Sequence, residues 1–112
     1  MINLGQKRNT MIARIWHGKT RIDQFEIYTE FLQQVAIPDY KNTDGFKGLS
    51  FLRHIKGDEG HFDLITYWEN LEVIKNFAGE DYEKAKYYPE DNDFLLEFEE
   101  CVQHFEVFAF IG

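Results

Sequence analysis

Apolar and polar positions alternate along some stretches of this chain and recur every three to four residues along others, and these two periods mark out its elements. Met11–His17 (MIARIWH) carries apolar residues on both alternating faces, which predicts a strand covered on both sides. Gly18 and Lys19 then predict a turn, and Thr20 with Asp23 three residues later matches a capping box that would open a helix. Ile22, Phe25, Leu32, Val35 and Ala36 recur at helical spacing, with Tyr28 and Thr29 on the same side and Asp23, Glu30, Gln33 and Gln34 mostly away from it. Pro38 is expected to end this helix, because its ring disfavours the α conformation just before it. Pro38–Gly48, rich in Pro, Asp, Asn and Gly, reads as a loop.

Strict alternation returns at Leu49–Lys56, with Leu49, Phe51, Arg53 and Ile55 on one face and Ser50, Leu52, His54 and Lys56 on the other. Gly57-Asp58-Glu59-Gly60 supplies turn residues, and His61–Trp68 returns with Phe62, Leu64, Thr66 and Trp68 opposite Asp63, Ile65 and Tyr67. Asn70 is placed to cap a short helix whose stripe is Leu71, Ile74, Phe77 and Ala78, and Gly79 to stop it. A further helical turn is expected at Tyr82–Ala85, broken by Pro89, and a last strand over Glu99–Phe110. The order β-α-β-β-α-β predicts an α+β, ferredoxin-like fold: a four-stranded antiparallel sheet with helices on one face. Within it, strands one and three are expected to run parallel at the centre. The other face of the sheet also carries large apolar residues that so short a chain cannot cover, so a homodimer packed sheet to sheet is expected. Residues 1–10, polar and basic without periodicity, read as a flexible leader ahead of a domain spanning 11–112.

Composition narrows the functional classes. At 112 residues the chain is too short for a dinucleotide-binding enzyme with a substrate domain, a barrel of eight βα units or a kinase. Aromatic residues make up 17%, ample material for a core. Twelve Lys and Arg against twenty Asp and Glu give a net charge of −8, and the basic residues are scattered, so neither nucleic acid nor an anionic membrane is an expected partner. The longest apolar runs fall far short of a bilayer span. A single cysteine, Cys101, allows no intrachain disulfide, in keeping with the cytoplasm.

Chemistry is expected where strand ends meet. The parallel arrangement would bring His17, Trp68 and His104 to one edge, with Trp16, Tyr67 and Asn70 lining the same cavity mouth. His17 and His104 are candidate general base and proton donor, since an imidazole titrates near neutrality; the competing reading gives them hydrogen-bonding structural roles. Trp68 would stack on a flat aromatic ligand or offer its indole N–H, or else belong to the core. Arg14 and Arg53, each inside an apolar strand, are candidates to hold an anionic oxygen or to pair with Asp63, Glu106 or another carboxylate. Tyr82, Tyr87 and Tyr88 would lid the pocket or pack their loop. No metal is expected, because the histidines lack HxH or HExxH spacing and Cys101 stands alone. Glycine-rich nucleotide loops and a G-x-S-x-G elbow are absent.

The runs Met11-Ile-Ala-Arg-Ile-Trp-His-Gly18, Thr66-Tyr-Trp-Glu69, Phe77-Ala-Gly-Glu-Asp81, Ala85-Lys-Tyr-Tyr-Pro-Glu-Asp91 and His104-Phe-Glu-Val107 together resemble the antibiotic biosynthesis monooxygenase family, over roughly residues 11–108. The resemblance implies a dimeric α+β barrel and, from characterised relatives, either cofactor-free oxidation of polycyclic phenols to quinones or haem degradation. It also implies an active-site tryptophan shortly before the second helix, which Trp68 matches. In the cofactor-free case His17 or His104 would be the base and Trp68 or Asn70 an oxyanion donor. Haem-degrading members bind iron through a histidine in or after the second helix, and Leu71–Phe98 contains none. The resulting expectation is a cofactor-independent monooxygenase of an aromatic or phenolic small molecule, with Trp16, Tyr67, Asn70, Arg14 and Tyr82 binding substrate. Its rivals are a non-catalytic binder of small hydrophobic ligands, a haem-binding or haem-degrading protein, and an isomerase on the same barrel.

Overall fold

The computed structural model describes residues 10–112, so the expectation of a leader over 1–10 falls outside the described residues but for Thr10. Strands β1 (Ile12–Arg21), β2 (Phe46–Lys56), β3 (Glu59–Trp68) and β4 (Gln103–Glu106) form one sheet in the order β2-β3-β1-β4. Every neighbouring pair is antiparallel, including β1 and β3, which corrects the parallel expectation. The reason is topological: β1 and β2 run parallel, and β3, the return arm of a tight hairpin from β2, lies between them and opposes both.

The first helical segment is a rod in three pieces: α1 (Phe25–Phe31), a π turn (Leu32–Ala36) and α2 (Ile37–Lys41). Pro38 does not end it. In a regular α-helix the ring would meet the carbonyl of Gln34. Here the wider turn relieves that crowding, and the Ile37 N–H donates to Leu32 O five residues back. The second helix, α3 (Leu71–Ala78), begins as expected at Asn70, whose side chain accepts from the Val73 N–H at 3.1 Å.

Other elements shift for identifiable reasons. β1 continues through Gly18, because glycine is needed there for close approach: a Cβ would lie 2.4 Å from Cη2 of Trp16. Thr20 is therefore in the strand, and no capping box forms. The hairpin turn shrinks to Gly57 and Asp58, with Gly57 at φ 63 and Asp58 at negative φ, the pattern of a type II′ turn. The helical turn expected at Tyr82–Ala85 is absent, because Lys84 instead bridges Cys101, with Ala85 N–H donating to Glu100 O and Val102 N–H to Glu83 O. β4 is only four residues long, its pairing with β1 ending at Ile12 and Glu106.

Alternation along the strands decides which residues the helices cover. Ile12, Arg14, Trp16, Phe62, Leu64, Thr66 and Trp68 are all buried on the helix side. Two clusters form there: Trp16, Phe62 and Leu64 with Phe25, Tyr28, Leu32 and Ala36 of the rod, and Ile12 and Trp68 with Ile74 of α3. The face without helices carries Ile15, His17, His61, Ile65 and Tyr67, all half-buried, with Leu52 and Phe105 exposed. Among the described residues no helix is long and apolar enough to cross a membrane.

Candidate functional site

Register determines which candidate residues meet. Ile12 pairs with Trp68 and His17 with Asp63, so His17 lies five rows from the Trp68 end, ~17 Å along the strands. It is also one residue out of phase with Trp16, and so projects from the opposite face of the sheet. Tyr67 shares that open face, where its ring packs on Phe110 at 5.3 Å. The single cavity mouth expected for His17, Trp68, His104, Trp16, Tyr67 and Asn70 therefore does not form. Trp16, Trp68 and His104 stay on the helix side; His17 and Tyr67 do not.

Arg14 and His104 do meet, as opposite partners on β1 and β4. Arg14 is only 3% exposed, and among the described residues no carboxylate pairs with it. Its guanidinium donates to Tyr82 O and to Lys84 O, and Nη1 lies 3.1 Å from His104 Nε2. A guanidinium only donates, so His104 must accept at Nε2 and stay neutral. Burial, then the Arg14 charge, push His104 down to about 4, in agreement. Burial also holds Arg14 below its ordinary value, although Tyr40 favours the charge. Arg53, by contrast, finds a carboxylate: it donates to Glu26 and to the Thr29 hydroxyl, both at 2.8 Å, over the ring of Phe25.

Trp68 is 0% exposed. Its Nε1–H donates to Thr66 Oγ1 at 2.8 Å, and its ring meets Tyr40, Phe46 and Phe77 with centroids 4.9 to 6.3 Å away. Both its surface and its polar handle are used within the core. Asn70 is likewise used as the cap of α3.

Trp16 differs. Its Nε1 is buried and, among the described residues, has no hydrogen-bond partner. Trp16 lines a cavity of ≈ 10 Å³, room for about one water, whose wall also includes Tyr28, Tyr40, Lys86, Tyr88 and Asp91. The π turn supplies Leu32 and Ala36 to the same wall, a placement such turns often have at functional sites. Asp91 is 2% exposed; it accepts from the Tyr28 hydroxyl at 2.9 Å and from the Tyr88 N–H at 2.8 Å. Burial raises its carboxyl against the pull of those two donors. Burial also pushes Tyr40 up to about 12 and raises Tyr28 and Tyr88, so all three remain neutral phenols at pH 7. Tyr82 lies outside this wall: it packs on the Ile12, Trp68 and Ile74 cluster, its ring edge-on to His104 at 5.3 Å. Asp91, Tyr28 and Tyr40 were not singled out from the sequence. The available signal was Tyr28 on an apolar helix stripe, whose hydroxyl requires a buried partner. Among the described residues no three His, Cys, Asp or Glu side chains converge as a metal set.

No protein-family model and no curated protein sequence matches the chain significantly. Solved structures do. A Bacillus cereus protein assigned to the antibiotic biosynthesis monooxygenases superposes with a TM-score of 0.64 at 15% identity, covering 92% of this chain and 98% of that one. The haem degrader MhuD from Mycobacterium tuberculosis, solved with two haems in its active site, gives 0.61 at 21% identity over 90% and 99%. A monooxygenase from the gene ActVA-Orf6 of Streptomyces coelicolor, in complex with nanaomycin D, gives 0.58 at 12% over 98% and 97%. The structural neighbours are thus antibiotic biosynthesis monooxygenase-like proteins matched over nearly their whole length, and the chain has their ferredoxin-like α+β fold.

Proposed function

We propose that this protein binds an aromatic, phenolic small molecule between the helical rod and the sheet and oxidises it with dioxygen, without a cofactor. The observation that carries this reading is the unpartnered indole N–H of Trp16, set in a wall that includes Tyr28, Tyr40 and Tyr88. A buried donor left unmade costs ~1–3 kcal/mol, and a ligand oxygen would recover it. Asp91, rather than His17 or His104, is the proton acceptor at this cavity: His17 projects from the other face and His104 is occupied by Arg14. In the reaction the phenol O–H proton passes to Asp91, the electron-rich ring reduces dioxygen, one oxygen atom enters the ring to give the quinone, and the other leaves as water. The likeness in fold to the Streptomyces monooxygenase, solved with nanaomycin D bound, supports a small-molecule ligand.

The protein acts in this reading as a cytoplasmic homodimer. The support is the helix-free face, where Ile15, Ile65 and Tyr67 are half-buried and Leu52 and Phe105 exposed. A second reading, a non-catalytic binder of a small ligand, is favoured by the solid packing of Trp68; in either reading the one-water cavity has to open to admit an aromatic ring. Oxygen uptake over a panel of phenols, without added flavin, haem or metal, separates the two. The expected result is uptake with at least one phenol that falls at least tenfold in Trp16→Phe while the melting temperature is kept. If no phenol consumes oxygen but 1-naphthol still raises the melting temperature, the binding reading replaces catalysis.

A further inference from the structure

A cleft of ≈ 210 Å³ lies between the helical rod and β2, outside the Trp16 cavity. Thr29, Gln33 and Ile37 follow one another at four-residue spacing and so line it as a single stripe of the rod, with Gln33 inside the π turn. Strand alternation brings Phe51 and Arg53 of β2 to the helix side, and Phe62 of β3, opposite Arg53 in register, lies beneath them. Because β2 is an edge of the sheet, among the described residues no further strand closes the cleft beyond it. Leu32 belongs to this wall and to that of the Trp16 cavity, and separates the two.

The lining is apolar apart from a few groups, and one of these is a cation. Ile37 and Phe51 are half-buried, whereas Leu32 and Phe62 are buried. Arg53 is the one charged side chain among the described residues of the lining, although the chain as a whole carries −8. Its guanidinium rests 4.6 Å over the Phe25 ring and gives only Nη1 to the protein, to Glu26 and to Thr29 Oγ1. Thr29 Oγ1 in turn donates to Phe25 O at 2.8 Å, which braces the arrangement. Among the described residues Nε and Nη2 donate to no acceptor. These two N–H groups are parallel and form the edge of the fork that matches both oxygens of a carboxylate. The side-chain amide of Gln33 also makes no hydrogen bond among the described residues, and it adds a donor to the lining.

An occupant has to answer both features. A neutral apolar molecule would take water from the Nε–Nη2 edge without replacing it, and a bare anion would leave Ile37 and Phe51 wet. A second carboxylate on Arg53 is compatible with the first, because the Glu26 side chain is 78% exposed and its charge is screened by water. The volume falls below the ~300 Å³ at which ordinary ligand pockets begin, so the molecule is small. Phe51, Arg53 and Phe62 face the helix side, so two copies paired through the opposite face of the sheet would leave the cleft accessible.

We propose that this cleft is a second ligand site, for a small monocarboxylate with an apolar body. The carboxylate takes the Nε–Nη2 edge of Arg53 with help from the Gln33 amide, and the body lies against Ile37 and Phe51. The site stands whether or not the Trp16 cavity binds a phenol. Titration with octanoate, and separately with 1-octanol as the uncharged control, tests it in ¹⁵N–¹H spectra that follow Arg53 Nε–H, the Gln33 amide and Trp16 Nε1–H. Octanoate is expected to move the Arg53 and Gln33 signals to saturation with a dissociation constant below about 1 mM, and to leave Trp16 in place. Binding of 1-octanol should be at least tenfold weaker, the effect of one charge-assisted hydrogen bond. Arg53→Gln removes only an exposed ion pair, so the melting temperature should hold while octanoate binding falls at least tenfold and 1-octanol binding stays as it was. Octanol that binds as tightly as octanoate, octanoate binding that survives Arg53→Gln, shifts at Trp16 in place of Arg53, or no saturable shift at that concentration would each overturn the site.

Discussion

Arg14 and His104 illustrate how a buried charge is managed without a carboxylate. The guanidinium gives up water for two backbone carbonyls and one imidazole, and the imidazole in turn is kept neutral. That neutrality has a pH signature. His104 is pushed down to about 4 in the folded chain, against ~6.5 when unfolded. Between those values the unfolded chain binds the proton and the folded chain does not, so stability is lost as pH falls from ~6.5 toward 4. His104→Gln keeps an acceptor for Arg14 but does not titrate. Urea unfolding at pH 7 and at pH 4 should show the wild type losing about 1–2 kcal/mol more than His104→Gln, a figure discounted for partial solvent screening. Parallel losses would show that His104 is not held neutral.

At the level of elements, Asn70 separates structural from functional use of a candidate residue. Its side chain caps α3, so Asn70→Ala should cost ~1 kcal/mol in thermal or urea unfolding while Asn70→Asp, which keeps the acceptor, costs little. An equal loss in both would point to a role beyond the cap. Asn70, the β3 alternation and the hairpin were legible in the sequence because each depends on residues within a few positions of one another. The π turn was not, since Pro38 signals a helix end locally and only packing of the rod on the sheet holds the wider turn. The face of His17 was not legible either, because a period of two gives the same pattern in both registers until a partner strand fixes it. Asp91 sits in the acidic run Pro-Glu-Asp-Asn-Asp, which reads as solvated; its partner Tyr28 lies 63 residues away. Tertiary pairing alone singles it out.

For the molecule as a whole, the open sheet face and the helix-side cavity make separate demands. In the proposed homodimer the open face meets a second copy, and Leu52→Glu is expected to reduce a dimer of 13.4 kDa chains to monomers in sedimentation velocity without loss of the fold. A monomer in the wild type at tens of micromolar would contradict that assembly. The cavity calls for a ligand at Trp16 and not at Trp68, whose indole is already paired with Thr66. The two indole N–H groups give separate signals in a ¹⁵N–¹H spectrum, so titration with 1-naphthol distinguishes them directly. The Trp16 Nε1–H signal is expected to move and the Trp68 signal to stay; movement of Trp68 with Trp16 unchanged, or of neither, would contradict a site under the helical rod.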